Sequence, residues 1–358
     1  MPRPLSLSLT DHALEWRELP WPLPWDSIFG RKAPLALEIG FGNGAFMEEQ
    51  CLAHPERNHV AVEVSWTAAT HLFRRAHRNG ITNLRVIVAE AEVVVGLLFA
   101  PNSISEVFVN HPCPWHKARH EDRRLIRKEF LELLSDRMQM GAPFLLVTDH
   151  DGYAAWATDA LEGQKALVSR HPTTEIDAIA GRTATKYEKK ALDRGESIHY
   201  FQWVKEDEPV SVPIQPQHDS HLPESESDDP EAMPTVVLSG GPADDVLFTT
   251  HEPIVHQEDH EGVHTVVKLG PVYKEMGRPV WLVEALVQED RLRQEFTIQT
   301  VRLQSGDLLV KFASAGRPHP TFGTKRAIWL LGQRLREQHA DLKLVRQTVG
   351  ETVAAGAS

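Results

Sequence analysis

At 358 residues, with 41% hydrophobic and 25% charged residues, the chain exceeds what one hydrophobic core usually organises, so two domains of ordinary soluble composition are expected. No run of about 18 apolar residues and no basic flank leading into an apolar stretch occurs, so it reads as neither membrane-spanning nor exported, hence cytoplasmic, and Cys51 and Cys113 alone cannot build a disulfide framework or a Cys-rich zinc site. The net charge of −12 is local: residues 1–205 hold 24 basic against 26 acidic residues, 206–234 hold 0 against 9, and the remainder 14 against 15.

From the N-terminus, residues 1–33 form an arm in which Trp16, Trp21 and Trp25 alternate with Pro20, Pro22 and Pro24. It reads as an extended segment anchoring its indoles on the domain that follows. Candidate strands then fall at Leu35–Ile39, His59–Val64, Leu84–Val88, Glu106–Val109 and Phe144–Thr148. Helical patterns separate them at Ala45–Ala53, Thr67–Asn79, Arg123–Met138 and Tyr153–Ser169. Alternation of this kind predicts an α/β fold with a doubly wound, mostly parallel sheet, and Ser197–Val204 adds a strand at an antiparallel edge. Ligands of such sheets sit at the carboxyl ends of the strands, so Gly40, Glu63, Glu90, residues 110–117 and Asp149 should share one rim.

Residues 206–234, with Pro-Glu-Ser-Glu-Ser-Asp-Asp-Pro-Glu, read as an acidic disordered linker. Residues 235–342 read as a small α+β domain: alternating runs at Glu295–Val301 and Leu308–Phe312 flank Ser305-Gly306-Asp307, and a helix covers Lys325–Gln338. Residues 343–358 read as a flexible tail. His256, His260 and His264 repeat every four residues, but Gly262 would break the helix needed to align them, so a solvated loop or strand is expected and no metal site.

The sequence Leu37-Glu38-Ile39-Gly40-Phe41-Gly42-Asn43-Gly44 closes a strand and opens a helix, and its glycines allow a tight turn against a ligand. The Gly-X-Gly-X-Gly spacing differs from the pyrophosphate fingerprint, and an acid ahead of the first glycine would repel a phosphate while favouring a cation. S-adenosylmethionine, with its sulfonium and free amino group, suits that loop. Glu63, at the end of the second strand, is placed for both ribose hydroxyls, and Glu90, after the third, for the adenine edge.

Downstream, His111-Pro-Cys-Pro-Trp-His-Lys-Ala-Arg-His-Glu-Asp-Arg-Arg sets a rigid turn against a cation cluster, which points to chemistry on a nucleic acid. Lys117 and Arg119 are expected on phosphates. Arg123 with Arg127 and Arg124 with Lys128 would form a helical phosphate stripe, unless Glu121, Asp122 and Glu129 pair with them.

Together with Thr148-Asp149 and Thr185-Lys186-Tyr187-Glu188, these motifs make residues 34–204 resemble the bacterial tRNA (guanine-N7-)-methyltransferase family. The resemblance implies a Rossmann-like class I methyltransferase domain over residues 34–205. It also implies methyl transfer from S-adenosylmethionine to N7 of guanosine 46, in the variable loop of tRNA. Carried over by position, Glu38, Gly40, Gly42, Gly44, Glu63 and Glu90 would bind the cofactor; Lys117, Arg119, Asp149, Thr185, Lys186, Tyr187 and Glu188 would bind the nucleotide. Asp149 and Glu188 could accept from guanine N1–H and N2–H2, leaving N7 toward the sulfonium.

The chain departs from the family twice. Glu90 stands where Asp is usual, and Cys113 stands in place of the Asp of Pro-Asp-Pro-Trp, a catalytic carboxylate in the family's pattern. N7 carries a lone pair and no proton, so transfer needs alignment more than a base, and a slower but active enzyme is expected. The alternative is a non-catalytic or weakly active RNA-binding protein retaining the fold. His111 could lower the Cys113 pKa and restore a partial negative charge, but Cys113 reads rather as a small buried thiol beside a spectator His111.

Overall fold

A computed structural model describes residues 12–115, 118–179, 182, 184–213, 215–216, 234–243, 247–248, 252–313 and 318–349. The acidic segment 217–233 lies outside them, as does Lys117. The chain divides into two compact units, residues 1–213 and 214–358.

In the first unit the elements follow as α1 (Trp25–Phe29), β1 (Leu35–Ile39), α2 (Ala45–Ala53), β2 (Asn58–Glu63), α3 (Trp66–Arg78), β3 (Leu84–Val88), α4 (Ala91–Leu98), β4 (Glu106–Asn110), α5 (Lys128–Arg137), β5 (Pro143–Thr148), α6 (Asp151–Glu162), β6 (Leu167–Ser169), α7 (Lys186–Asp193) and β7 (His199–Lys205). The sheet order is β3-β2-β1-β4-β5-β7-β6, parallel from β3 to β5. Every residue of β1 is buried, as expected of a strand covered on both faces. The order reverses between β1 and β4, so the loops after these two strands open onto the crevice where doubly wound sheets bind ligands.

Local chemistry fixes the elements beside that crevice. Ser65 caps α3 by accepting from the Ala68 amide, and the face Ala69, Leu72, Phe73 and Ala76 packs on Met47, Cys51, Leu84 and Val86. Gly44 has φ +72°, and a Cβ there would stand 2.7 Å from Leu72 Cβ, so glycine is required where the loop presses on α3. Trp16 and Trp25 are buried; Trp25 stacks on Phe99 and donates its Nε1–H to Leu98 O at 3.2 Å, which anchors the arm.

Three expectations are corrected. The helix expected from Arg123 begins at Lys128, preceded by a 3-10 turn over Ala118–Arg123. The helix expected to run to Ser169 ends at Glu162, and Leu167–Ser169 becomes β6, so β7 lies inside the sheet, antiparallel to both β5 and β6. Helix α4 was not anticipated at all.

The second unit is a seven-stranded antiparallel sheet in the order β14-β8-β13-β12-β11-β10-β9, with one long helix, α8 (Phe322–Gln338), on its inner face. Its strands are β8 (Thr235–Ser239), β9 (Ile254–His260), β10 (Val263–Lys274), β11 (Val280–Glu289), β12 (Leu292–Arg302), β13 (Leu308–Phe312) and β14 (Lys343–Gln347). Ala327, Ile328, Leu331 and Leu335 of α8 join Val236, Val267, Val283, Ile298 and Val310 in one core. Residues 343–347, expected within a flexible tail, pair with β8. The histidine segment forms the β9–β10 hairpin around Glu261 and Gly262, both at positive φ, as two-residue hairpin turns require. Its histidines take separate partners: His256 faces Glu258, His264 faces Asp259, and His260 stacks on Phe322. No helix among the described residues is long and apolar enough to cross a membrane.

Candidate functional site

The glycine loop leaves β1 with Gly40, Gly42 and Gly44 all at positive φ, and the Gly44 amide closes the turn on Phe41 O at 2.9 Å. A Cβ on Gly40 or Gly42 would meet nothing within 4 Å, so the backbone there borders open space. Glu63, at the end of β2, stiffens this wall: its Oε2 accepts from the Gly42 amide at 3.2 Å, and its Oε1 accepts from Val64 and Ser65 at 2.9 and 3.2 Å. Glu90 is exposed at the cap of α4.

Glu38 lies beneath the loop, only 1% exposed. Its Oε1 accepts from Asn110 Nδ2 at 2.9 Å, while its Oε2 is buried with no hydrogen-bond partner. Burial pushes its carboxyl up to about 7; the Asn110 hydrogen bond and the Arg182 charge pull against this, and Glu63 adds to it. A buried carboxylate oxygen without a donor is costly, and a cation beside it would remove the penalty. That orphan oxygen, together with the open glycine cradle, fits the free amino group of an S-adenosylmethionine.

On the other side of the crevice, β4 ends in Asn110, and the chain enters the Pro-X-Pro-Trp turn with His111 and Trp115 at φ +48° and +47°. Such angles cost a non-glycine residue about 1 kcal/mol or more, so the surroundings must hold them. They do for His111. Its amide donates to Val147 O at 2.8 Å, its Nδ1 lies 3.2 Å from Asp149 Oδ1, and its Nε2 lies 3.3 Å from Thr185 Oγ1. The turn thereby brings Asp149, from the end of β5, to Thr185, ahead of α7. Helix α6 is capped by the His150 side chain, which accepts from the Tyr153 amide, so Asp149 is not needed as its cap. Cys113, expected to be buried, is instead exposed in the turn.

Glu188 has partners within the chain that the sequence reading did not anticipate. Its carboxylate is buried, accepts from Arg182 Nε and Nη2 at 3.3 and 3.1 Å, and accepts from the Thr185 amide at 2.6 Å. Thr185 Oγ1 reciprocates toward the Glu188 amide, which completes a capping box at the start of α7. Burial pushes the Glu188 carboxyl up, but Arg182 and Thr185 outweigh it and hold it below the usual range. Thr-X-X-Glu is itself a helix-start signature, and it was the signal that could have found this capping role for Glu188.

The cation stripe is also corrected. Arg124 is buried; it donates to Pro114 O at 3.0 Å, pairs with Glu121 and lies over Trp156, so it braces the turn. Arg127 precedes α5 and pairs with Glu92 of α4. Arg123 and Arg119 are exposed, with Arg123 over the Trp115 ring. Lys117 lies outside the described residues, and of Lys186 and Tyr187 only the backbone, in the first turn of α7, is described. Sequence reasoning placed Asn110 on the rim without a partner, missed Arg182, and took His111 as a spectator.

Residues 32–201 match a family model described as "Putative methyltransferase". A tRNA (guanine-N(7)-)-methyltransferase of Thermotoga maritima is 35% identical over 193 residues, covering 52% of this chain and 59% of that protein. One of Mycolicibacterium paratuberculosis is 38% identical over 184 residues, covering 51% of this chain and 71% of that one. One of Deinococcus radiodurans is 31% identical over 313 residues, covering 86% of this chain and 92% of that protein. The chain therefore spans less than two thirds of the Thermotoga protein, whereas its likeness to the Deinococcus protein extends into both units.

Proposed function

From the premise that this chain belongs to the tRNA (guanine-N(7)-)-methyltransferase family, we propose that it transfers the methyl group of S-adenosylmethionine to N7 of a guanosine in tRNA, at position 46 of the variable loop, in the cytoplasm. One observation supports this reading above the rest: Glu38, with its orphan oxygen, lies on β1, and His111, which joins Asp149 to Thr185, directly follows β4, the two strands between which the sheet order reverses.

When bound, S-adenosylmethionine supplies a methyl carbon activated by a positive sulfur. Glu38 holds the amino group of that molecule, and the Gly40–Gly44 loop lets the backbone approach it. Glu63 takes the ribose hydroxyls and Glu90 the adenine edge. On the substrate side, Asp149, 28% exposed, accepts from the N1–H and N2–H2 edge of guanine, which turns N7 away from Asp149. Thr185 closes the pocket, while Lys117 and Arg119 take phosphates, and Glu188 holds the Thr185 turn.

N7 attacks with its lone pair, so no proton has to be removed and the chain's main contribution is alignment. The base leaves as a cation. Cys113 stands where a carboxylate would stabilise that charge, and Asp149 supplies the negative charge the pocket does have, which gives an active enzyme with a slower chemical step. The test is incubation of the purified chain with S-adenosylmethionine and a tRNA transcript, followed by cleavage mapping of 7-methylguanosine. One modified guanosine is expected; cofactor binding without methylation at any guanosine would sink the reading.

A further inference from the structure

Arg182 stands between the two halves of the crevice. Its Nη2 donates to Asn110 Oδ1 at 2.6 Å and to Glu188 Oε2 at 3.1 Å, and its Nε reaches Glu188 Oε1 at 3.3 Å. The guanidinium lies 4.9 Å over the ring of Phe46, in the first turn of the helix that follows the glycine loop. Its side chain is 6% exposed and that of Glu188 1%, so this is a two-pronged ion pair shielded from water.

Asn110 makes the next link, and its orientation is dictated by its partners. The amide oxygen must face the guanidinium, which only donates, and the amide nitrogen must face Glu38, which accepts. A continuous polar chain therefore runs from the orphan oxygen of Glu38 through Asn110, Arg182 and Glu188 to Thr185, and from Thr185 through His111 to Asp149.

Resting on the function proposed above, we infer that Arg182 is a positioning residue that couples the cofactor pocket to the nucleotide pocket, so that cofactor and tRNA bind cooperatively. A cation at Glu38 Oε2 keeps that carboxylate ionised. An ionised Glu38 pulls on the Asn110 N–H and makes the Asn110 oxygen a better acceptor for Arg182, since hydrogen bonds in a buried chain polarise one another. Arg182 is then fixed against Glu188, and Glu188 fixes the Thr185 turn against His111 and Asp149. A guanine that settles the Thr185 turn acts on Glu38 through the same links in reverse, because coupling between binding sites is reciprocal.

The experiment is calorimetric titration of S-adenosylhomocysteine, which keeps the amino group but carries no methyl to transfer, into the full chain with and without saturating tRNA transcript. In the wild type, tRNA should tighten S-adenosylhomocysteine binding about tenfold, within the usual range of such couplings. Arg182→Lys keeps the charge but not the fork, and should bring the ratio to near one while each ligand alone still binds. Asn110→Ser cuts the chain at its other link and should give the same loss, and it carries the test if Arg182→Lys does not fold. A wild-type ratio of one, or a ratio unchanged in a folded variant, overturns the coupling while leaving the methyltransferase reading intact. If wild-type protein binds neither ligand, both fall.

Discussion

His111 Nδ1 lies 3.2 Å from Asp149 Oδ1 while its Nε2 lies 3.3 Å from Thr185 Oγ1, so one imidazole joins the ends of two strands to the start of a helix 74 residues downstream. The left-handed backbone at His111 aims the ring at both partners at once. The expected spectator is thus the residue that draws Asp149 and Thr185 together, and four predictions follow from the surrounding geometry.

Glu38 should release a proton when the cofactor binds. Its carboxyl is held at about 7, so at pH 7 about half the molecules carry the proton. A cation favours the charged form, so binding should expel about half a proton, measured by calorimetry in buffers of different ionisation enthalpy; no buffer dependence would contradict the assignment. Without cofactor the raised value also makes the folded state bind more protons than the unfolded one between pH 4.5 and 7. Stability should therefore fall as pH rises through that window, and Glu38→Gln should remove on the order of 2–3 kcal/mol of the loss while weakening cofactor binding.

Cys113→Asp should speed the chemistry. The position is exposed, so a carboxylate there escapes a large desolvation penalty, and under the proposed function it would stand near the base that becomes cationic. An electrostatic gain of about 1 kcal/mol corresponds to a single-turnover rate roughly fivefold higher, with tRNA affinity unchanged. An unaltered rate would show that this position does not limit transfer.

Glu188→Gln should act on stability before it acts on recognition. The variant leaves the Arg182 guanidinium buried without its counter-charge and weakens the capping box, a loss of about 2–4 kcal/mol. Thermal unfolding should show a clear drop. If the melting temperature holds and only the KM for tRNA rises, Glu188 reads the base after all.

Arg119 and Arg127 should separate in salt titrations. Arg119 is exposed beside the turn, so Arg119→Ala should reduce the slope of log affinity for tRNA against log salt by about 1. Arg127 pairs with Glu92, so Arg127→Ala should leave that slope alone and lower the melting temperature. Equal slopes for both variants would contradict the division.

Strands β1 to β5 and helix α2 were legible because each is a short apolar or amphipathic run, and Gly40, Asn110 and Asp149 mark the ends of β1, β4 and β5. Helix α4 was not, since Ala91–Leu98 is apolar almost all round and offers no helical period. The Arg123–Arg127 stretch has helical composition, but Arg124 on Trp156, and the Ile126 amide on the Tyr153 hydroxyl, hold it in a turn; tertiary contacts override propensity. The link between Asn110 and Arg182 was invisible for a simpler reason. Their significance lies in each other and in Glu38, and no local pattern records that meeting.

Glu38 bonds to Asn110, 72 residues later, and Asn110 bonds to Arg182, 72 residues later again. Two long loops must close before the crevice is whole, and entropy makes such closures late events in folding. A nascent chain that has emerged only as far as β5 can pair its parallel strands, but it cannot hold the Glu38 carboxylate in its final setting. Competence for binding should arrive abruptly, when the segment around Arg182 docks, so that a residue made late in this unit completes the setting of one made early.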